Sequence, residues 1–215
     1  MMVEIYQNLF FYTAKFFLLF THETIIIPLI VIGFMIEKRE DFRSALYLIL
    51  FTMIFNTALK VTFQVPLAPH LEKVGFAFPS GHMQFALVFY GWLALRTEIF
   101  FLKRIILILL MGCAWALVYL KYHSWWDVLG SVVFAILTLS GYLFFLRTIG
   151  RFKPKLTGIF FFANATLFLV YLAYKNVIFP HVWMAYYALT GIFLAERIFE
   201  TSSKLSWKKG LLGIL

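Results

Sequence analysis

The chain has 215 residues, of which 63% are hydrophobic, 20% aromatic and only 13% charged. A soluble domain is roughly 45–50% apolar and about 25% charged, so too few polar side chains remain here to cover a water-facing globule, and the apolar richness excludes disorder as well. The formal net charge is +9, but no basic run is long enough to track a phosphate backbone; nucleic acid is not an expected partner, and the surplus is read as loop charge of a membrane protein.

Glycine, proline and charge divide the chain into eight apolar runs. The first, 5–20, carries Lys15 and is read as an amphipathic helix lying in the membrane interface, residues 1–21 forming one unit. Thr21-His22-Glu23 joins it to the second run, 22–36. The others lie at 43–63, 82–96, 101–120, 126–146, 156–175 and 182–199. Crossing a bilayer takes about 20 residues, which predicts seven spans, or eight if the first run also crosses. Backbone groups in lipid must pair internally, and the runs lack the alternation of barrel strands. The expected fold class is therefore all-α, a polytopic transmembrane helical bundle. The longest stretch outside the runs is 64–81. The single cysteine, Cys113, excludes an intrachain disulfide, and Met1-Met2-Val3-Glu4 lacks the positive start of a secretory signal.

Lysine and arginine set the orientation. Lys38, Arg39, Arg43, Arg96, Lys103, Arg104, Arg147, Arg151, Lys153, Lys155, Arg197, Lys204, Lys208 and Lys209 fall at alternate ends of the runs, so on one side of the membrane. Only Lys60, Lys73, Lys121 and Lys175 fall on the other. Fourteen against four assigns the first side to the cytoplasm.

The outer side carries polar groups that loop solubility does not require. Pro79-Ser80-Gly81-His82 opens run four. Ser80 suits an N-cap, Gly81 lets the backbone approach a ligand, and the free N–H groups of a helix start bind anions, phosphate above all. His82 in the first turn can give a proton to such an anion. His123 and Asp127 are four apart and share one helix face if run six begins as early as residue 123. The aspartate can then orient the imidazole, leaving its other nitrogen as nucleophile or base. Lys60 ends run three and Lys121 ends run five at the same depth. Two imidazoles suit phosphoryl transfer, one attacking phosphorus and the other protonating the leaving oxygen. The pattern calls for no metal and no cofactor. His22, Glu23, His70 and His181 are read as boundary or loop residues, Trp125, Trp126 and Trp183 as an aromatic belt, and Asn56 and Asn164 as interhelical hydrogen-bonders.

On these residues the sequence resembles the type 2 phosphatidic acid phosphatases, the PAP2 family of membrane lipid phosphatases. The family motif P-S-G-H stands intact at Pro79–His82. The His-x3-Asp of S-R-x5-H-x3-D stands at His123 and Asp127, with Ala116 and Leu117 where the family has Ser-Arg. Of K-x6-R-P the chain keeps Lys60, followed by Pro66 and Pro69 but no arginine. The resemblance covers roughly residues 22–146, leaving 147–215 as additional transmembrane helices and a basic cytoplasmic tail. It implies catalytic roles for His123 as nucleophile, Asp127 as its orienting partner and His82 as general acid. Lys60, Ser80 and Gly81 would bind the substrate phosphate, and Lys121 could supply charge in place of the missing arginine. The implied activity is metal-independent hydrolysis of a lipid phosphate or diphosphate through a phosphohistidine. The implied location is a cell membrane, bacterial inner membrane by expectation, with the site facing the periplasm or exterior. The alternatives are a non-catalytic relative that binds or moves a lipid head group, a lipid phosphotransferase and, last, a small solute transporter or channel.

Overall fold

The computed structural model describes residues 2–35, 39–149 and 154–212; the side chains of 2–5, 39, 149, 154–155 and 199–212 lie outside that description. Of the residues that set the orientation, Lys38, Arg151 and Lys153, together with the side chains of Arg39, Lys155, Lys204, Lys208 and Lys209, fall outside it. Among the described residues eight α-helices follow one another: α1 (Met2–Leu19), α2 (Glu23–Met35), α3 (Arg39–Phe63), α4 (Gly81–Arg96), α5 (Phe100–Tyr119), α6 (Trp125–Ile149), α7 (Pro154–Tyr174) and α8 (Pro180–Leu212). Among the described residues the only extended pairing is an isolated antiparallel bridge between Pro66 and Phe76, inside the α3–α4 loop. The protein is an all-α membrane bundle.

Four helices, α3, α5, α6 and α7, are long and apolar enough to cross a membrane; α1 and α2 qualify together as a fifth span, bent by 42°. This is fewer than the seven spans read from the runs, for local reasons. α2 has 13 residues and α4 has 16, both under the length of a bilayer core. α8 mixes its apolar residues with His181, Glu196 and Arg197.

Burial explains how a helix as short as α4 belongs. Met83, Gln84, Ala86, Val88, Phe89, Tyr90 and Trp92 are all buried, so α4 is covered nearly all round. It lies against α3, α5 and α6, while α3 also meets α2, α7 and α8. α3 and α4 thus form the centre. The outer helices turn apolar side chains outward, with Ile108 61% and Phe144 72% exposed. Such a surface is stable only in contact with lipid.

The first two helices act as one bent element. α1 lies antiparallel along α5, with Phe10 against Trp115 and Tyr119, and Phe17 accepting from Cys113 Sγ at 3.2 Å. α2 continues toward the start of α3, where a Cβ on Gly33 would sit 2.2 Å from the Phe42 ring. α8 is tied to α3 at its start and again near its middle. Thr57 Oγ1 meets His181 Nε2 at 3.1 Å, and Tyr47 Oη donates to Glu196 Oε2 at 2.9 Å.

Candidate active site

The P-S-G-H turn forms as its residues dictate. Ser80 is extended at φ −62°, ψ 118°, and its Oγ accepts the Met83 N–H at 3.4 Å, an N-cap on α4. The Phe78–Pro79 peptide bond is cis. Asn56 of α3 donates to the Pro79 carbonyl at 3.3 Å and to Gln84 Oε1 at 2.8 Å, so the interhelical role expected of Asn56 is the one it plays. A Cβ on Gly81 would stand 3.1 Å from Asn56 Oδ1. Glycine allows the turn to come this close.

The second cluster hangs from the end of α5. Lys121 N–H donates to the Val118 carbonyl at 2.9 Å and Tyr122 N–H to the Leu117 carbonyl at 3.0 Å, with Lys121 left-handed at φ 58°. This is a Schellman C-cap. It reverses the chain and delivers His123 ahead of α6, not within it. The expectation that His123 and Asp127 share a helix face fails here because Ser124 is the better cap. Ser124 N–H and Oγ donate to Asp127 Oδ2 at 2.8 and 2.9 Å, and Asp127 N–H returns a bond to Ser124 Oγ at 3.2 Å. His123 Nδ1 nevertheless stays near, 3.5 Å from Asp127 Oδ2, with no hydrogen-bond partner of its own. That distance exceeds a normal N–H···O bond, yet the carboxylate charge still acts on the ring.

Backbone bonds stitch the two clusters together. Ser80 N–H donates to the Asp127 carbonyl at 3.1 Å, and Ser131 Oγ lies 2.8 Å from the carbonyl oxygens of both Ser80 and Asp127. The starts of α4 and α6 are thereby held side by side. His82 lies within electrostatic range of both His123 and Lys60. The His123 side chain is 8% exposed. Burial holds its imidazole below the ordinary histidine range, Lys60 lowers it further, and Asp127 opposes both.

A cavity of about 440 Å³ opens against this junction, a size that suits a small ligand or head group. Lys60, Gly81 and His82 line it, together with Asn56, Glu23 and His181. Lys60 Nζ also donates to the Phe76 carbonyl at 2.9 Å, which fixes its direction. Among the residues singled out from sequence, Ser80 is wholly buried and engaged as a cap, and Lys121 is exposed outside the cavity wall, its carbonyl 2.9 Å from His70 Nε2. Ala116 and Leu117, where the family carries Ser-Arg, are buried in helix packing at 0% and 1% exposure. Among the described residues, no three histidine, cysteine, aspartate or glutamate side chains gather closely enough to hold a metal ion.

Sequence reasoning passed over two contributors. His22 and His181 were read as boundary residues, but the His22 ring meets His82 at 5.4 Å between centroids, and His181 lines the cavity. Their only sequence signal is polarity at the ends of apolar runs, which ordinary interfacial residues share.

The start of α4 and Lys60 thus meet at one cavity in a membrane bundle, with His82 and His181 on its wall and Ser80, His123 and Asp127 not among the residues lining it. The sequence profile of the PAP2 superfamily matches residues 41–151, just over half the chain. The chain belongs to that superfamily, the match covering all but the first two residues of α3 through to α6 and leaving α1, α2, α7 and α8 outside it. No curated protein and no solved structure matches it.

Proposed function

We propose that this protein hydrolyses a lipid phosphate or diphosphate at the extracytoplasmic face of a cell membrane, through a phosphohistidine. The observation that carries the reading is the stitching of the two histidine-bearing turns by the Ser80–Asp127 backbone bond. It keeps His123 within electrostatic reach of His82 and Lys60, which line one cavity.

In this scheme Lys60 and the first-turn N–H groups of α4 receive the phosphate oxygens. Asp127 faces Nδ1 of His123, so Nε2 attacks phosphorus. The P–N bond forms as the bond to the leaving oxygen breaks, and His82 gives that oxygen its proton. Water then attacks the phosphohistidine, His82 takes up the water's proton, and inorganic phosphate leaves with both imidazoles restored. Lys60 sits opposite charge that builds on the equatorial oxygens, where fixed positive charge is most effective.

The test is phosphate release from a panel of lipid phosphates by purified protein in detergent, with and without EDTA. His123→Ala abolishes turnover while the protein remains folded, and EDTA leaves the wild-type rate unchanged. A His123→Ala variant with wild-type turnover defeats the scheme. Arginine grips phosphate bidentately and lysine does not. The buried Ala116 and Leu117 therefore favour, as second reading, a relative that binds a lipid head group without cleaving it; binding with no phosphate release identifies that case. Appearance of phosphate on an acceptor other than water identifies a phosphotransferase.

A further inference from the structure

The break between α1 and α2 stands where a bent span should have no reason to carry polar residues. α1 runs down α5 from Tyr119 past Gly112, and α2 continues until Gly33 meets Phe42. The break at 20–22 therefore lies part-way through the bundle, not at its end. Non-helical backbone at membrane depth persists where it lines a cavity. This one does. Thr21 and Glu23 line the same cavity as His82, and Thr21 is 3% exposed with its Oγ1 donating to the Leu18 carbonyl at 2.8 Å. Leu19 accepts the His22 N–H at 3.1 Å, while the His22 carbonyl takes the N–H groups of Ile25 and Ile26 at 3.2 Å each. The backbone of the break is thus satisfied locally, as is the Thr21 hydroxyl, which leaves the His22 and Glu23 side chains for another task.

Those side chains converge on His82. The His22 ring meets it edge to face, 5.4 Å between centroids and 65° between planes, a geometry that aromatic rings favour. The other groups facing His82 are Lys60 from α3, His123 from the α5–α6 loop and Glu23 from the break; His181 of α8 shares the cavity. Among the described residues Glu23 is the only carboxylate in the wall. An acid catalyst is positively charged before it releases its proton, and burial, His22, His123 and Lys60 all oppose that charge, so the part His22 plays is to hold the ring and not to charge it. Glu23 alone favours it.

We infer that His22 and Glu23 are a positioning pair for His82, His22 holding the ring in place and Glu23 balancing its charge, so that the α1–α2 break is a working part of the site contributed from outside residues 41–151. The inference rests on His82 being the proton donor of the proposed reaction. In formation of the phosphohistidine the pair acts only on proton donation, so its loss in that step must scale with the leaving group's need for a proton; hydrolysis of the phosphohistidine, where His82 takes the water's proton, is the same for every substrate. A lipid phosphate leaves as an alkoxide and needs one; p-nitrophenyl phosphate leaves as a stabilised aryloxide and does not.

The experiment compares kcat/KM, which reports formation of the phosphohistidine and not its hydrolysis, on both substrates for wild type, His22→Ala, His22→Phe and Glu23→Gln, in the full chain. His22→Ala and Glu23→Gln lose about tenfold or more on the lipid phosphate and less than about threefold on the aryl phosphate. His22→Phe, which keeps a ring edge, recovers most of the His22→Ala loss. Equal losses on both substrates, or no loss on either, overturn the inference while leaving the His123 scheme standing. A wild type that releases phosphate from neither substrate overturns the proposed function itself, and this inference with it.

Discussion

At the level of single side chains, the cap on α6 and the nucleophile compete for one carboxylate. Asp127 Oδ2 already receives two hydrogen bonds from Ser124, and His123 Nδ1 stands 3.5 Å away. The aspartate therefore acts on the imidazole mainly through its charge. In the proposed reaction a neutral imidazole is the nucleophile, and burial and Lys60 both disfavour the protonated form, so the acid limb of kcat/KM is expected below the ordinary histidine value of about 6.5. Asp127→Asn keeps an oxygen for the Ser124 bonds but removes the one influence that favours imidazolium. Its acid limb moves to still lower pH, and its maximal rate falls. A limb that stays put in this variant means His123 is not the titrating group. The histidine and aspartate were legible because His-x3-Asp is short and local. The cap was less so: Ser124 reads in sequence as one more polar loop residue.

Among elements, glycine contacts decide how closely the helices approach the P-S-G-H turn. A Cβ on Gly130 of α6 would lie 2.2 Å from Phe78 Cε2 and 2.4 Å from Cζ. Phe78 cannot move away easily, because Phe63 packs on it at 5.0 Å and Phe134 at 6.4 Å. Gly130→Ala overpacks this site and costs about 1–3 kcal/mol, read as a lower thermal unfolding midpoint in detergent. Gly141, further along the same helix, has nothing within 4 Å of its Cβ position. Gly141→Ala is neutral or gains up to about 1 kcal/mol from helix propensity. Apolar periodicity alone located α4, α5 and α6 to within a few residues, because each run ends at a strong signal: Ser80 before α4, Arg96 after it, Asp127 in the first turn of α6. The approach of His22 to His82 has no such signal. It depends on how α1 and α2 pack against α5 and α3, and that arises only in three dimensions.

For the molecule as a whole, α8 braces the central helix at two points, the site end and the opposite end. At the site end His181 meets Thr57. At the other, Glu196 takes Tyr47 Oη at 2.9 Å and stands 3.6 Å from Arg43 Nε, while Arg43 also pairs with Glu40. Arg96 closes the same end on Asp41 at 2.5 Å. Glu196→Ala strands the buried Tyr47 hydroxyl, leaves Arg43 with Glu40, and lowers stability by about 1–3 kcal/mol, whereas Glu196→Gln, which can still accept from Tyr47, loses less. Thermal unfolding of the two variants side by side checks the order. The bundle architecture was evident from composition because lipid tolerates few other solutions. The span count was not, since a short helix buried on all sides and a long helix facing lipid look alike as apolar runs.

Trp125 and Trp126, 55% and 76% exposed, open α6, and Ser131, which grips the Ser80 carbonyl, stands six residues on. At a rise of 1.5 Å per residue the floor of the P-S-G-H turn lies roughly 9 Å beneath those indole rings. If the indoles mark the waterline, a phosphate reaching that floor sheds most of its hydration on the way down. A lipid already anchored beside the bundle makes that descent more readily than a free anion diffusing in from bulk solvent.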